Sequence, residues 1–178
     1  MQSNVYHAAM KYGLLMGVLF SVNFLFSIST TPFVALLSYL LIAFILVLTY
    51  RFAVAYRDKD NGGTCTFGQA FFFIFLLYLF AAIISSVVKY VYFKFIDVNY
   101  LSELLNKSSA IMQQIQEQFK LEVPDDYYDS MEKMMNPAMY TLQFIWVNTI
   151  LGGLVGLIMA PFVKKSKSIF DKNDETPN

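Results

Sequence analysis

The chain has 178 residues, 57% of them hydrophobic and 17% aromatic, and its 13 basic and 13 acidic side chains give a formal net charge of zero. That balance argues against a nucleic-acid partner held by bulk electrostatics, and a single cysteine, Cys65, excludes an internal disulfide framework. The apolar residues gather into four long runs cut by short polar joints, which marks an all-α polytopic membrane protein with the lipid bilayer as its solvent.

No charge interrupts the stretch from Tyr12 to Tyr50, too long for one crossing of a ~30 Å hydrocarbon core. Ser27, Ser29, Thr30, Thr31 and Pro32 break it near the middle, so it reads as a helical hairpin with spans at about 9–29 and 32–54. Lys11 is the only early positive charge, a poor start for a signal peptide, and the first span is expected to be retained. The third span, about 67–93, is free of charge from Phe67 to Val88, with Thr66 placed to cap it and Gln69 in its first turn. The fourth, about 138–163, follows Asn136-Pro137 and ends at Pro161 ahead of Lys164 and Lys165.

Between the third and fourth spans, residues 97–136 have helical periodicity but interrupted apolarity. Leu101, Leu104, Leu105, Ile111, Met112, Ile115 and Phe119 form one face, and Glu103, Lys107, Gln113, Gln114, Glu117 and Lys120 the other. Pro124 breaks this amphipathic helix, and Asp125 and Asp126 open a shorter one bearing Met131, Met134 and Met135. The insert is expected to cap the bundle, the alternative being that it lies at the outer interface. Residues 164–178 form a polar tail with too little apolar content to fold alone.

Lysine and arginine in short loops favour the cytoplasmic side. Arg51, Arg57 and Lys59 precede the third span, and Lys164, Lys165, Lys167 and Lys172 follow the fourth, so both termini are expected in the cytoplasm and the acid-rich insert outside. Lys89 and Lys94 run against this bias. Each is expected to snorkel to the outer interface among Tyr90, Tyr92, Phe93 and Phe95.

Ala9, Gly13, Gly17 and Ser21 recur every four residues in the first span, as do Asn148, Gly152, Gly156 and Ala160 in the fourth. Helices in lipid gain by close backbone approach along such stripes, so the first and fourth spans are expected to touch, either within a monomer or across a dimer. Asn23, Gln69, Gln143 and Asn148 are the polar residues to weigh as a substrate site or as interhelical hydrogen-bonding glue. No Asp, Glu, Arg or His lies deep in a span, which disfavours a proton-coupled carrier.

Soluble-type chemistry is poorly supported, and no catalytic residue, cofactor or metal is expected. His7 is the only histidine and has no metal-ligand neighbours, and Gly62-Gly63 lacks the Lys-Ser/Thr of a phosphate loop. The methionines invite a soft-metal reading, yet flexible apolar packing explains them with no cysteine or histidine beside them. Arg57, Asp58, Lys59 and Asp60 form either a solvated loop or a docking patch.

The connector YRDKDNGGTCTFGQAF, Tyr56 to Phe71, resembles the signature of the four-span bacterial proteins grouped as domain of unknown function 4199. YFKFIDVNYLSELL, Tyr92 to Leu105, is similar to that family's second block, with Val98 standing where many members carry proline, and Lys11-Tyr12-Gly13 resembles its opening. The resemblance covers almost the whole chain and implies a protein of a bacterial inner membrane, without bringing any activity or catalytic residue. Two functions follow as expectations: a non-enzymatic scaffold or accessory subunit with a membrane-protein partner, or a small transporter or channel assembled as a homo-oligomer.

Overall fold

A computed structural model describes residues 5–122, 124 and 126–166. Lys167, Lys172, Asp125 and most of the polar tail, on which parts of the topology and disorder readings rest, lie outside the described residues. Among these residues six α-helices follow in order: α1 (Val5–Ser27), α2 (Pro32–Ala55), α3 (Phe67–Val91), α4 (Tyr100–Phe119), α5 (Asp126–Met134) and α6 (Pro137–Val163). The described chain is all-α, and α1, α2, α3 and α6 are long and apolar enough to cross a membrane. α2 and α3 each run on into a wider π-type turn, Tyr56–Asp60 and Tyr92–Ile96.

Local chemistry sets the helix ends. Pro32 and Pro137 open α2 and α6, where a missing N–H costs nothing. Asn136 Oδ1 accepts from the Ala138 N–H at 3.0 Å. At the start of α3, Thr66 Oγ1 accepts from the Gln69 N–H at 3.2 Å, while Gln69 Oε1 accepts from the Thr66 N–H at 2.9 Å, a reciprocal capping box. Lys120, at φ 51°, terminates α4 in a left-handed conformation.

α3 is the central post. α1 packs along one side of it and α6 along the other, α2 leans on α1, and α2 and α6 touch only sparsely. Burial follows this order: α3 hides a broad face from Ala70 to Lys89, whereas α2 hides only Ser38, Ile45, Thr49 and Ala53. The remainder of α2 and α6 presents Phe33, Leu40, Val47, Trp146, Ile150 and Phe162 outward, suited to lipid.

Within the chain the two small-residue stripes do not meet. A Cβ on Gly13 would lie 2.8 Å from Phe80 Cβ, one on Gly17 2.7 Å from Ile84 Cβ, one on Gly152 2.7 Å from Tyr78 Cγ, and one on Gly156 3.1 Å from Phe71 Cδ2. All four neighbours belong to α3. Each stripe is thus a seat for bulky α3 side chains, and the contact expected between the first and fourth spans within a monomer gives way to a shared contact with the third. Ser21 donates to Gly17 O at 2.8 Å, and Ala160 is fully buried.

The connector closes the same end of the bundle. Arg57 pairs with Asp58 at 2.7 Å and donates through Nη1 to Val163 O at 3.1 Å, while Tyr12 OH donates to Asp60 Oδ2 at 3.2 Å. Gly62 and Gly63, at φ 67° and 79°, turn the chain back where a side chain would be strained. Cys65 and Lys165 then exchange backbone hydrogen bonds of 2.9 and 2.8 Å. Arg57, Asp58 and Asp60 therefore engage partners inside the chain, and Lys59 stays exposed. Cys65 is buried, and burial pushes its thiol above the ordinary range against the smaller opposing pull of Arg57. Less thiolate at a given pH means slower alkylation. Maleimide labelling of the folded protein at pH 7 should be slow, accelerate only above the usual thiol range, and finish rapidly in denaturing detergent.

The insert does not lie across the bundle as a cap. Of α4 only Leu101 is buried, and Ile111, Ile115 and Phe119 are exposed. Tyr128 OH donates to Gln116 Oε1 at 2.7 Å, joining α5 to α4 as an arm attached at its base.

Candidate functional site

The face of α3 nearest the arm reads Ala82, Ser85, Ser86, Lys89, all buried. These positions share one side of a helix by their spacing of three and four. The small residues leave room beneath the bundle surface, and the lysine stem fills it. Lys89 is 1% exposed, with Nζ 2.7 Å from the centroid of the Phe144 ring and 5.3 Å from that of Phe24. The expected snorkelling is overturned, because the lysine lies on the inward face of α3. Lys94, one turn beyond, does remain outside, donating to Tyr90 OH at 2.8 Å.

Lys89 opens onto a cavity of about 390 Å³, within the ~300–1,000 Å³ common for small-molecule sites. α1 contributes Asn23 and Phe24, α3 Tyr78 and Lys89, and α6 Phe144 and Asn148, with Ile45 of α2 and Val155 of α6 on the apolar walls. Tyr78 forms its floor: its ring stands edge-on to Phe20 at 5.5 Å, its hydroxyl lies 3.3 Å from Thr49 Oγ1, and Gly152 leaves space for it. Phe93 closes the other end, with ring centroids 5.4 Å from Phe24, 5.4 Å from Tyr140 and 5.3 Å from Tyr100. Burial and then the charge of Asp97 push the Tyr100 phenol upward, so it remains an O–H donor at neutral pH. Ser86 ties α3 to α6 by donating to Thr141 O at 3.3 Å.

One polar atom at this cavity is buried without a hydrogen-bond partner, and one basic side chain there lacks a counter-charge among the described residues. Asn23 Oδ1 is buried without a hydrogen-bond partner, a condition that costs about 1–3 kcal/mol. Lys89 forms no ion pair among the described residues. Removing an ammonium from water costs several kcal/mol, and the ring of Phe144 returns about 2 kcal/mol of that. Negative charge would balance Lys89, and a hydrogen-bond donor would satisfy Asn23 Oδ1.

The polar residues singled out from sequence divide into two groups. Asn23 and Asn148 line the cavity, with Asn148 Nδ2 donating to Phe144 O at 2.8 Å. Gln69 belongs to the capping box at the opposite end, and Gln143 is exposed on α6. Lys89, Tyr78, Tyr140 and Phe144 were not anticipated as a group. The available signal was the run of small residues one and two turns before Lys89, on its own face.

A family model described as "Protein of unknown function (DUF4199)" matches residues 11–165, a range that holds the connector, every cavity residue and the arm. The chain belongs to this family. Comparison with curated proteins and with solved structures finds no match. Membership supports the four-span architecture and leaves activity to be argued from the residues themselves.

Proposed function

We propose that the chain is a non-enzymatic accessory or scaffold subunit of a membrane assembly. The observation that carries this reading is the arm. α4 projects an apolar row, Ile111, Ile115 and Phe119, that no described residue covers, on a helix whose opposite face is polar. An amphipathic helix with such a row fits the groove of a partner protein. The orientation that goes with it sets Arg57, Lys164 and Lys165 in the cytoplasm of a bacterial inner membrane and the arm outside, as the positive-inside bias favours.

A second reading, a small oligomeric transporter, draws support from Asn23 and Asn148, which face a cavity instead of pairing with each other. One experiment separates the two. With Ile115→Cys as an attachment point, photo-cross-linking in native membranes followed by mild solubilisation and mass measurement should capture a foreign chain in stoichiometric amount. Cross-links only between copies of this chain would reject the accessory role and direct attention to flux assays in liposomes.

A further inference from the structure

We propose that the cavity between α1, α3 and α6 binds one anionic amphiphile, its charged head against Lys89 and its acyl chain extending toward Val155 along the gap between α2 and α6.

Three observations converge on that ligand class. Lys89 is buried in an aromatic setting, with the rings of Phe144 and Phe24 about its amine and no carboxylate among the residues lining the cavity. An anionic oxygen supplies the missing counter-charge, and nothing on the walls repels it. Asn23 Oδ1 opens on the same space as a buried acceptor without a donor, which a hydroxyl on the head would satisfy. Phenols of Tyr100 and Tyr140 at the arm end offer further donors.

The walls account for the tail. Below Lys89 they are apolar, with Ile45 and Leu46 from α2 and Leu151 and Val155 from α6. Along α6 the distance from Phe144 to Val155 is about 16 Å at ~1.5 Å per residue. Ile42 is 45% exposed and Leu151 46% exposed although both line the cavity, and they stand on the two helices that touch only sparsely. The cavity is therefore open on the side that faces lipid, and a bilayer molecule reaches Lys89 without leaving the membrane.

The test uses the full chain in a neutral maltoside micelle, titrated separately with phosphatidylglycerol, oleate and phosphatidylcholine, with bound lipid counted by native mass spectrometry. Phosphatidylglycerol carries both the anionic oxygen and the hydroxyl. It should bind one per chain and at least about tenfold more tightly than phosphatidylcholine, with oleate between them. Lys89→Met should abolish that preference and leave phosphatidylcholine binding and thermal stability intact or improved. Leu151→Trp, at an exposed position that tolerates bulk, should narrow the gap and lower phosphatidylglycerol occupancy several-fold. Equal binding of phosphatidylglycerol and phosphatidylcholine, or a preference that survives in folded Lys89→Met, overturns the proposal. Should Lys89→Met fail to fold, undiminished occupancy in Leu151→Trp overturns it as well. Oleate binding as tightly as phosphatidylglycerol removes the role given to Asn23.

Discussion

Gly152→Leu should be the most damaging single substitution in the bundle, with a loss at the upper end of the ~1–3 kcal/mol typical of overpacking. The reason lies in the first added atom. A Cβ at Gly152 falls onto the Cβ of Tyr78 and comes within 2.7 Å of its Cγ. Those atoms sit next to the α3 backbone and cannot swing aside, so α6 must move away from α3. Tyr78 would then lose its fit under α6, and the cavity floor and the Thr49 contact at 3.3 Å would shift with it. Gly152→Ala shares the direction, against the ~1 kcal/mol that alanine ordinarily gains over glycine within a helix. The neighbouring glycine is the control: at Gly153 a Cβ meets only Phe75 Cδ2 at 3.8 Å, an ordinary contact. In neutral detergent, Gly152→Leu should lower Tm by about 6–12 °C, while Gly153→Leu should stay within a few degrees of the parent. Equal Tm values for the two variants would mean that α3 and α6 do not pack face to face at this point.

The contrast between Gly152 and Gly153 also shows what periodicity can and cannot specify. A four-residue repeat of small side chains identifies the contact face of α6, and Gly152 lies on it while Gly153 does not. The repeat carries no information about which helix fills the seat. α1 and α6 bear matching stripes, and pairing them with each other was the simplest expectation. α3 displaces that pairing because it supplies bulky residues on both sides, Phe80 and Ile84 toward α1, Phe71 and Tyr78 toward α6. The helix ends were legible for a different reason. Pro32, Pro137 and the Thr66–Gln69 pair act within one turn, so their chemistry needs no knowledge of neighbours.

The site was legible only in part, for the same physical reason. Asn23 and Asn148 stand out in apolar surroundings, and the cavity uses both. Lys89 was visible as a charge near a helix end, where a long stem has two choices: to reach the interface or to fold back over a small-residue face. Which one prevails depends on rings contributed by α1 and α6, more than fifty positions away along the chain for Phe24 and Phe144 alike. That is tertiary information. The arm presents the converse case, since its amphipathic pattern is plain in the sequence and its apolar row stays exposed among the described residues.

At the opposite end of the bundle, Phe73→Ala should cost about 3 kcal/mol, the lower part of the ~3–5 kcal/mol seen when a buried phenylalanine is cut to alanine. Lipid is as apolar as a leucine side chain, so the transfer part of that penalty shrinks, and what remains is the cavity and the lost ring contacts. Those contacts are unusually consequential here. Phe73 is fully buried, stacked on Tyr56 at 4.4 Å with the planes 3° apart, and edge-on to Tyr12 at 6.0 Å. Tyr56 begins the wide turn that holds Arg57, and Tyr12 donates to Asp60, so one ring steadies both attachments of the connector. Removing it should therefore lower Tm and also open the connector, making the chain after Arg57 and Lys59 susceptible to trypsin under conditions where the parent resists. Phe72, next in sequence but 38% exposed on the outer face, provides the comparison, and Phe72→Ala should change neither property appreciably. A Phe73→Ala protein that melts lower yet keeps its connector closed to trypsin would show that the ring fills space without steadying the clasp.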